Sequence, residues 1–129
     1  MNNRTTMTDI HLRISNAVKI DLTPDYYIHD VANTAIAIVC NFYSLEPADI
    51  LSKSRQREIV IARGMCYALI RCSKKYFRDR TMGKFFHRDR TSVWHLLDEW
   101  KNQYDVNAIH RAEFHSMLEI FSKQMAYQV

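Results

Sequence analysis

The sequence predicts an all-α fold, and three observations carry that prediction. Only two Gly and two Pro occur in 129 residues, too few for the tight turns of a β-sandwich or barrel. Apolar residues recur at three- and four-residue steps through most of the chain, the spacing of helices that each bury one face. The apolar fraction of 47% is ordinary for a globular protein, and the length suits one domain with a real core better than two.

Residues 1–22 are polar and mixed, with a weak helical pattern at Ile10, Leu12, Ile14 and Val18, and read as an arm or short helix. The remainder, 23–129, reads as a single helical domain. Thr23-Pro24 supplies an N-cap candidate followed by proline at the first helical position. A helix is predicted from there to about Tyr43, with Val31, Ala35, Ile38, Val39 and Phe42 inward. Ser44-Leu45-Glu46-Pro47 breaks it, and Pro47 to Leu51 reads as one further turn.

Ser54 is the expected cap of a long helix from about Arg55 to Tyr76, in which Ile59, Ala62, Cys66, Leu69 and Ile70 form the buried stripe. Arg63 and Arg71 fall outside that stripe. A shorter helix is predicted from Asp79 to Phe86, burying Met82, Phe85 and Phe86, and is followed by a tight His87-Arg88-Asp89 connection. The next helix, about Arg90 to Tyr104, is expected to bury Val93, Trp94, Leu97 and Trp100. A last helix, about 107–125, turns Phe114, Met117, Leu118 and Phe121 inward.

Charge is unevenly distributed. The net charge is +4, yet 12 Lys/Arg and only three acids (Glu58, Asp79, Asp89) lie between Lys53 and Arg90, while the rest of the chain is acidic. Basic side chains that merely solvate helix faces usually have acids interspersed, so this block reads as a footprint on a polyanion. Two short helices with that block around their joint suggest a helix-turn-helix. The opening turn Arg90-Thr91-Ser92 is polar and positive, as suits a turn that meets base edges in the major groove.

The segment Asp49-Ile-Leu-Ser-Lys-Ser-Arg-Gln-Arg-Glu-Ile-Val-Ile-Ala-Arg63, followed about two dozen residues on by Arg88-Asp-Arg-Thr-Ser-Val-Trp-His95, resembles the C-terminal DNA-binding domain of the bacterial replication initiator DnaA. The resemblance covers roughly residues 26–104. It implies a Trp-repressor-like helix-turn-helix bundle that recognises a short, DnaA-box-like duplex site as a monomer. On the matching positions, Arg55 resembles the arginine that enters the minor groove, where a narrow groove concentrates negative potential. Arg63 and Arg71 match basic, DNA-facing positions; Arg80 and Arg88 complete the basic set. Asp89, Thr91 and Ser92 match the residues that meet base edges, and His95 matches a histidine near the backbone. Asp89 suits a hydrogen bond from cytosine N4 and equally suits the N-cap of its helix.

The chain departs from the family signature in ways that bear on the target. Arg90 stands where the signature has histidine and could pair with guanine O6 and N7. His87 alone replaces paired glycines, Asp79-Arg80 stands where Leu-Pro is frequent, and Trp94 replaces a leucine, with the expectation that its bulk repacks the core. The initiator's ATPase would need a G-x-x-x-x-G-K-[ST] loop, and the isolated Gly64 and Gly83 cannot form one. The expectation is a stand-alone module acting in replication or transcription control, or in a mobile element or phage.

Other function classes fare poorly. No apolar run approaches the ~18 residues of a membrane span, and the N-terminus lacks the apolar stretch of a secretory signal. Cys40, Cys66 and Cys72 read as buried thiols in a reducing compartment, by default the cytoplasm. The His110/His115 and Cys66/Cys72 spacings match no zinc pattern, so no cofactor, metal, catalytic residue or small-molecule substrate is expected. The expected partner is double-stranded DNA. The alternative is a protein-interaction module that keeps the fold and binds a partner through its acidic termini.

Overall fold

A computed structural model of the chain describes residues 28–73 and 77–127. Within them lie six helices and no strand: α1 (Ile28–Tyr43), α2 (Pro47–Leu51), α3 (Arg57–Arg71), α4 (Asp79–Phe86), α5 (Arg90–Val106) and α6 (Ala108–Tyr127). The expected arm at 1–22 and the Thr23-Pro24 start signal lie outside the described residues, as do Lys74 to Tyr76.

Local chemistry sets most boundaries. α1 ends where Ser44 turns left-handed, at φ 58°, and Leu45 N–H reaches back to the Cys40 carbonyl at 2.9 Å. Pro47 occupies the first turn of α2, where its missing N–H costs nothing. Glu46 and Asp49 close a reciprocal capping box around that turn. Asn107 alone separates α5 from α6, and its Oδ1 accepts from the Ile109 and His110 amides at 3.0 and 3.1 Å.

α3 starts two residues later than its sequence predicts. The Ser54 hydroxyl accepts from Gln56 N–H at 3.2 Å, forming a local turn, and Gln56 takes the cap position. Arg55 therefore sits on an irregular loop ahead of the helix.

The core gathers around α3, which packs against α1, α2, α5 and α6. Every residue from Ala62 to Ile70 is buried, so this helix is enclosed on all sides and not on one stripe. Gly64 faces Trp100 where α3 meets α5, and a Cβ there would reach only ordinary van der Waals contact with the indole, 3.5 Å away. Trp100 Nε1 donates to Met65 Sδ across the same contact at 3.2 Å. α4 seals another side through Phe86, whose ring meets Tyr67 edge-on at 4.7 Å.

Two expected core residues face solvent. Phe42 is 40% exposed; the aromatic turned inward is its neighbour Tyr43, half-buried, whose hydroxyl donates to Glu113 Oε1 at 2.8 Å. Trp94 is 54% exposed, because the buried stripe of α5 runs through Val93, Leu97, Trp100 and Tyr104 and places position 94 at its margin. Among the described residues no helix is long and apolar enough to cross a membrane, and no group of three His, Cys, Asp or Glu side chains is placed to hold a metal ion.

Candidate nucleic-acid interface

The joint between α4 and α5 is a sharp, well-bonded turn. His87 adopts left-handed backbone, φ 57° and ψ 45°, a conformation that histidine tolerates better than bulkier residues. Arg88 N–H donates to the Gly83 carbonyl at 2.7 Å and His87 N–H to the Lys84 carbonyl at 3.4 Å, the paired bonds of a Schellman motif. The chain folds back so closely that a Cβ on Gly83 would lie 2.3 Å from the Arg88 carbonyl oxygen. Glycine at this position is a steric requirement of the turn.

Asp89 then caps α5, its Oδ1 accepting from Ser92 N–H at 2.7 Å. That bond, with help from the Ser92 hydroxyl and the Thr91 amide, holds its carboxyl below the usual range. The cap role is thus fully formed, while Arg90, Thr91, Ser92 and His95 stand exposed beyond it. The positive end of the helix macrodipole lies at this same turn. Farther along, exposed Asp98 and Glu99 end the positive region, so only the first turns of α5 suit an anionic partner.

Two side chains tie the first of the sequence segments that resembled one family to the turn and start of the second, and a third, Arg63, shares an acceptor with one of them. Lys53 Nζ donates to the His87 carbonyl at 3.0 Å. Arg88 Nη2 donates to the Ser52 carbonyl at 2.6 Å, and Arg63 Nη2 donates to that same oxygen at 2.8 Å. The loop carrying Arg55 is therefore bolted to the turn that precedes α5. Arg55 flanks α5 on the side of Leu96 and Glu99. Arg80, Arg90 and Thr91 lie with Arg78, Thr81 and Trp94 around a hollow on the other side.

Three of the arginines expected to face DNA are turned to other work. Arg63 is only 3% exposed; its Nε, Nη1 and Nη2 donate to the carbonyls of Ile50, Ser54 and Ser52. The last turn of α2 and the loop after it leave these carbonyls without backbone partners of helical type, and a guanidinium supplies several donors at once. Arg71 pairs with Asp79 at the first residue of α4, because the end of α3 meets the start of α4 there. The expected outward orientation is corrected at both positions. Arg88 is half-buried and spends a donor on Ser52.

The exposed basic groups that border α5 include two the sequence reading left unassigned, Arg57 and Arg78. Their signal was membership of the basic block. Trp94 was missed outright, since an apolar identity hid its outward position. His95 is exposed with its ring edge-on to Trp94 at 5.1 Å.

A family model described as the bacterial dnaA protein helix-turn-helix matches residues 32–99. The chromosomal replication initiator protein DnaA of Bacteroides thetaiotaomicron is 32% identical over 92 residues, covering 69% of this chain and 19% of that protein. Its counterpart from Bacteroides fragilis is 28% identical over 117 residues, covering 90% of this chain and 24% of that protein. The chain thus spans about a quarter or less of the length of these curated relatives. No solved structure matches it at a comparable level.

Proposed function

Because the chain belongs to the bacterial DnaA helix-turn-helix family, we propose that it binds duplex DNA sequence-specifically, at a DnaA-box-like site, and acts in the control of replication or transcription. The observation that carries this reading is the bolting of the Arg55 loop to the α4–α5 turn through Lys53 and Arg88, with Arg63 bracing the loop from within. It holds a groove-reaching arginine and a polar helix start in one rigid relation, as simultaneous contact with both grooves of one duplex requires.

The roles divide by position. Arg55 enters the minor groove, where its guanidinium meets concentrated negative potential. Thr91 and Arg90 meet base edges in the major groove, Arg90 suiting a guanine. Ser92 supports the Asp89 cap, and Asp89 itself presents a carboxylate to cytosine N4 while capping the helix. Arg57, Arg78, Arg80 and His95 contact the phosphate backbone, which positions the protein without reading sequence. The three buried cysteines suit a reducing compartment such as the cytoplasm.

The test is selection from a random duplex library, followed by binding of the winning site across a salt series. A single asymmetric site with a guanine near the Arg90 position is the expected outcome. With about three cationic phosphate contacts, from Arg57, Arg78 and Arg80, the log–log salt slope should be near −3. Failure of any site to emerge, with weak binding to every duplex at moderate salt, would leave protein interaction as the function of the fold.

A further inference from the structure

An indole left half in water on the first turns of α5 calls for a physical account. Trp94 follows Arg90 by four residues and Thr91 by three, so all three share one side of the helix. It walls the hollow whose other lining groups are Arg78, Asp79, Arg80, Thr81, Arg90 and Thr91; the Asp79 carboxylate is paired with Arg71, so the balance of the hollow is basic. Three guanidinium groups around an aromatic face disfavour burial against an apolar protein surface, which would strip their hydration. They favour a polyanion that offers an apolar spot of its own.

Duplex DNA offers such a spot in the major groove. Hydrogen-bonding groups fill the base edges there, and the apolar exception is the 5-methyl of thymine. The rise of a helix places Trp94 about 6 Å beyond Arg90 along the α5 axis, one to two base steps at ~3.4 Å each. We propose that Trp94 is a specificity-determining residue that packs its indole against a thymine 5-methyl, one to two steps from the base pair met by Arg90. This rests on the DNA-binding reading above and adds a position that hydrogen-bond readout by Arg90 and Thr91 does not cover.

The test replaces each thymine of the selected site singly with deoxyuridine, which removes the methyl and keeps every hydrogen bond. Binding of the full chain and of Trp94→Ala is measured by fluorescence anisotropy. One uracil should weaken the wild-type complex about fourfold, the worth of one buried methyl. Trp94→Ala should be insensitive to that uracil, yet still lose affinity at base changes read by Thr91 and Arg90. Uracil effects that persist unchanged in Trp94→Ala would overturn the proposal, as would the absence of any uracil effect. Equal weakening of selected and random duplex by Trp94→Ala would place the indole on the sugar–phosphate backbone and also overturn it.

The uracil arm on the wild-type chain needs no variant to fold. Quenching of Trp94 emission by the selected duplex, compared with Trp94→Phe, reads the same contact by another route. Failure of the wild-type chain to bind any duplex would remove the DNA reading and this proposal together. Failure confined to the uracil arm would remove this proposal alone.

Discussion

Replacing Arg63 with alanine separates a phosphate contact from a structural bracket, because the two roles predict opposite signatures. The guanidinium donates to Ile50, Ser54 and Ser52 at 2.9, 3.3 and 2.8 Å, and burial with the neighbouring Arg88 charge draws its pKa down. Ile50 is fully buried, so its carbonyl has no water to turn to; losing a charged hydrogen bond there costs about 1.5–3 kcal/mol. Ser52 keeps its bond from Arg88, and half-buried Ser54 can recruit water, so each adds about 0.5–1 kcal/mol. Relief of the Arg63–Arg88 repulsion offsets part of this, leaving about 3 kcal/mol.

For a domain of this size that corresponds to a fall of roughly 10 °C in Tm. Thermal and urea melts of the variant read it directly. Binding of the selected duplex, measured well below the melt, should lose specificity as the Arg55 loop loosens, while the salt slope stays as in wild type. An unchanged Tm with a slope shallower by about one would show that Arg63 reaches phosphate after all, and the bracket would be refuted.

Gly83→Ala drives a Cβ into the Arg88 carbonyl. The strain of about 1–3 kcal/mol outweighs the roughly 1 kcal/mol gained in helix propensity, so melts should show net destabilisation and mobility shifts a larger loss on the selected site than on random duplex. Asp89→Ala should cost about 1 kcal/mol of stability through the lost cap, whereas Asp89→Asn keeps an acceptor and should melt like wild type; an affinity loss confined to cytosine-bearing sites in the Asn variant would isolate base reading from capping. His110 is buried with its pKa lowered chiefly by desolvation, against a raising influence from Glu113. The unfolded chain therefore takes up its proton first, so this contribution to stability is full above about pH 6.5 and declines as pH falls below it; denaturant melts at pH 7 and pH 5 should show less of that decline in His110→Leu.

The helices were legible wherever apolar spacing and turn residues agreed. α2 and α4 fall at the predicted residues, and α5 begins at Arg90 as expected, because Pro47, Asp79 and Asp89 each sit where helix-start chemistry favours them. The meeting of the Lys53–Arg63 segment with the Arg88–His95 segment was legible only through resemblance, since nothing in local periodicity links residues so far apart. Arg63, Arg71 and Trp94 show where pattern fails. An arginine outside the apolar stripe reads as exposed, but open carbonyls at the end of α2 and in the loop after it, and an acid at Asp79, demanded buried donors. A tryptophan reads as core, yet its position at the edge of the α5 stripe decided the matter.

The central claim is that one continuous surface, made by the Arg55 loop and the first turns of α5, receives the duplex. Backbone amide NMR of the chain titrated with the selected duplex tests it most directly. The expected shifts cluster at Lys53 to Arg57, His87 to His95 and the first turn of α4, leaving the exposed residues of α6 unmoved. Shifts centred on α6, or confined to one of the two segments while the other stays silent, would contradict the account.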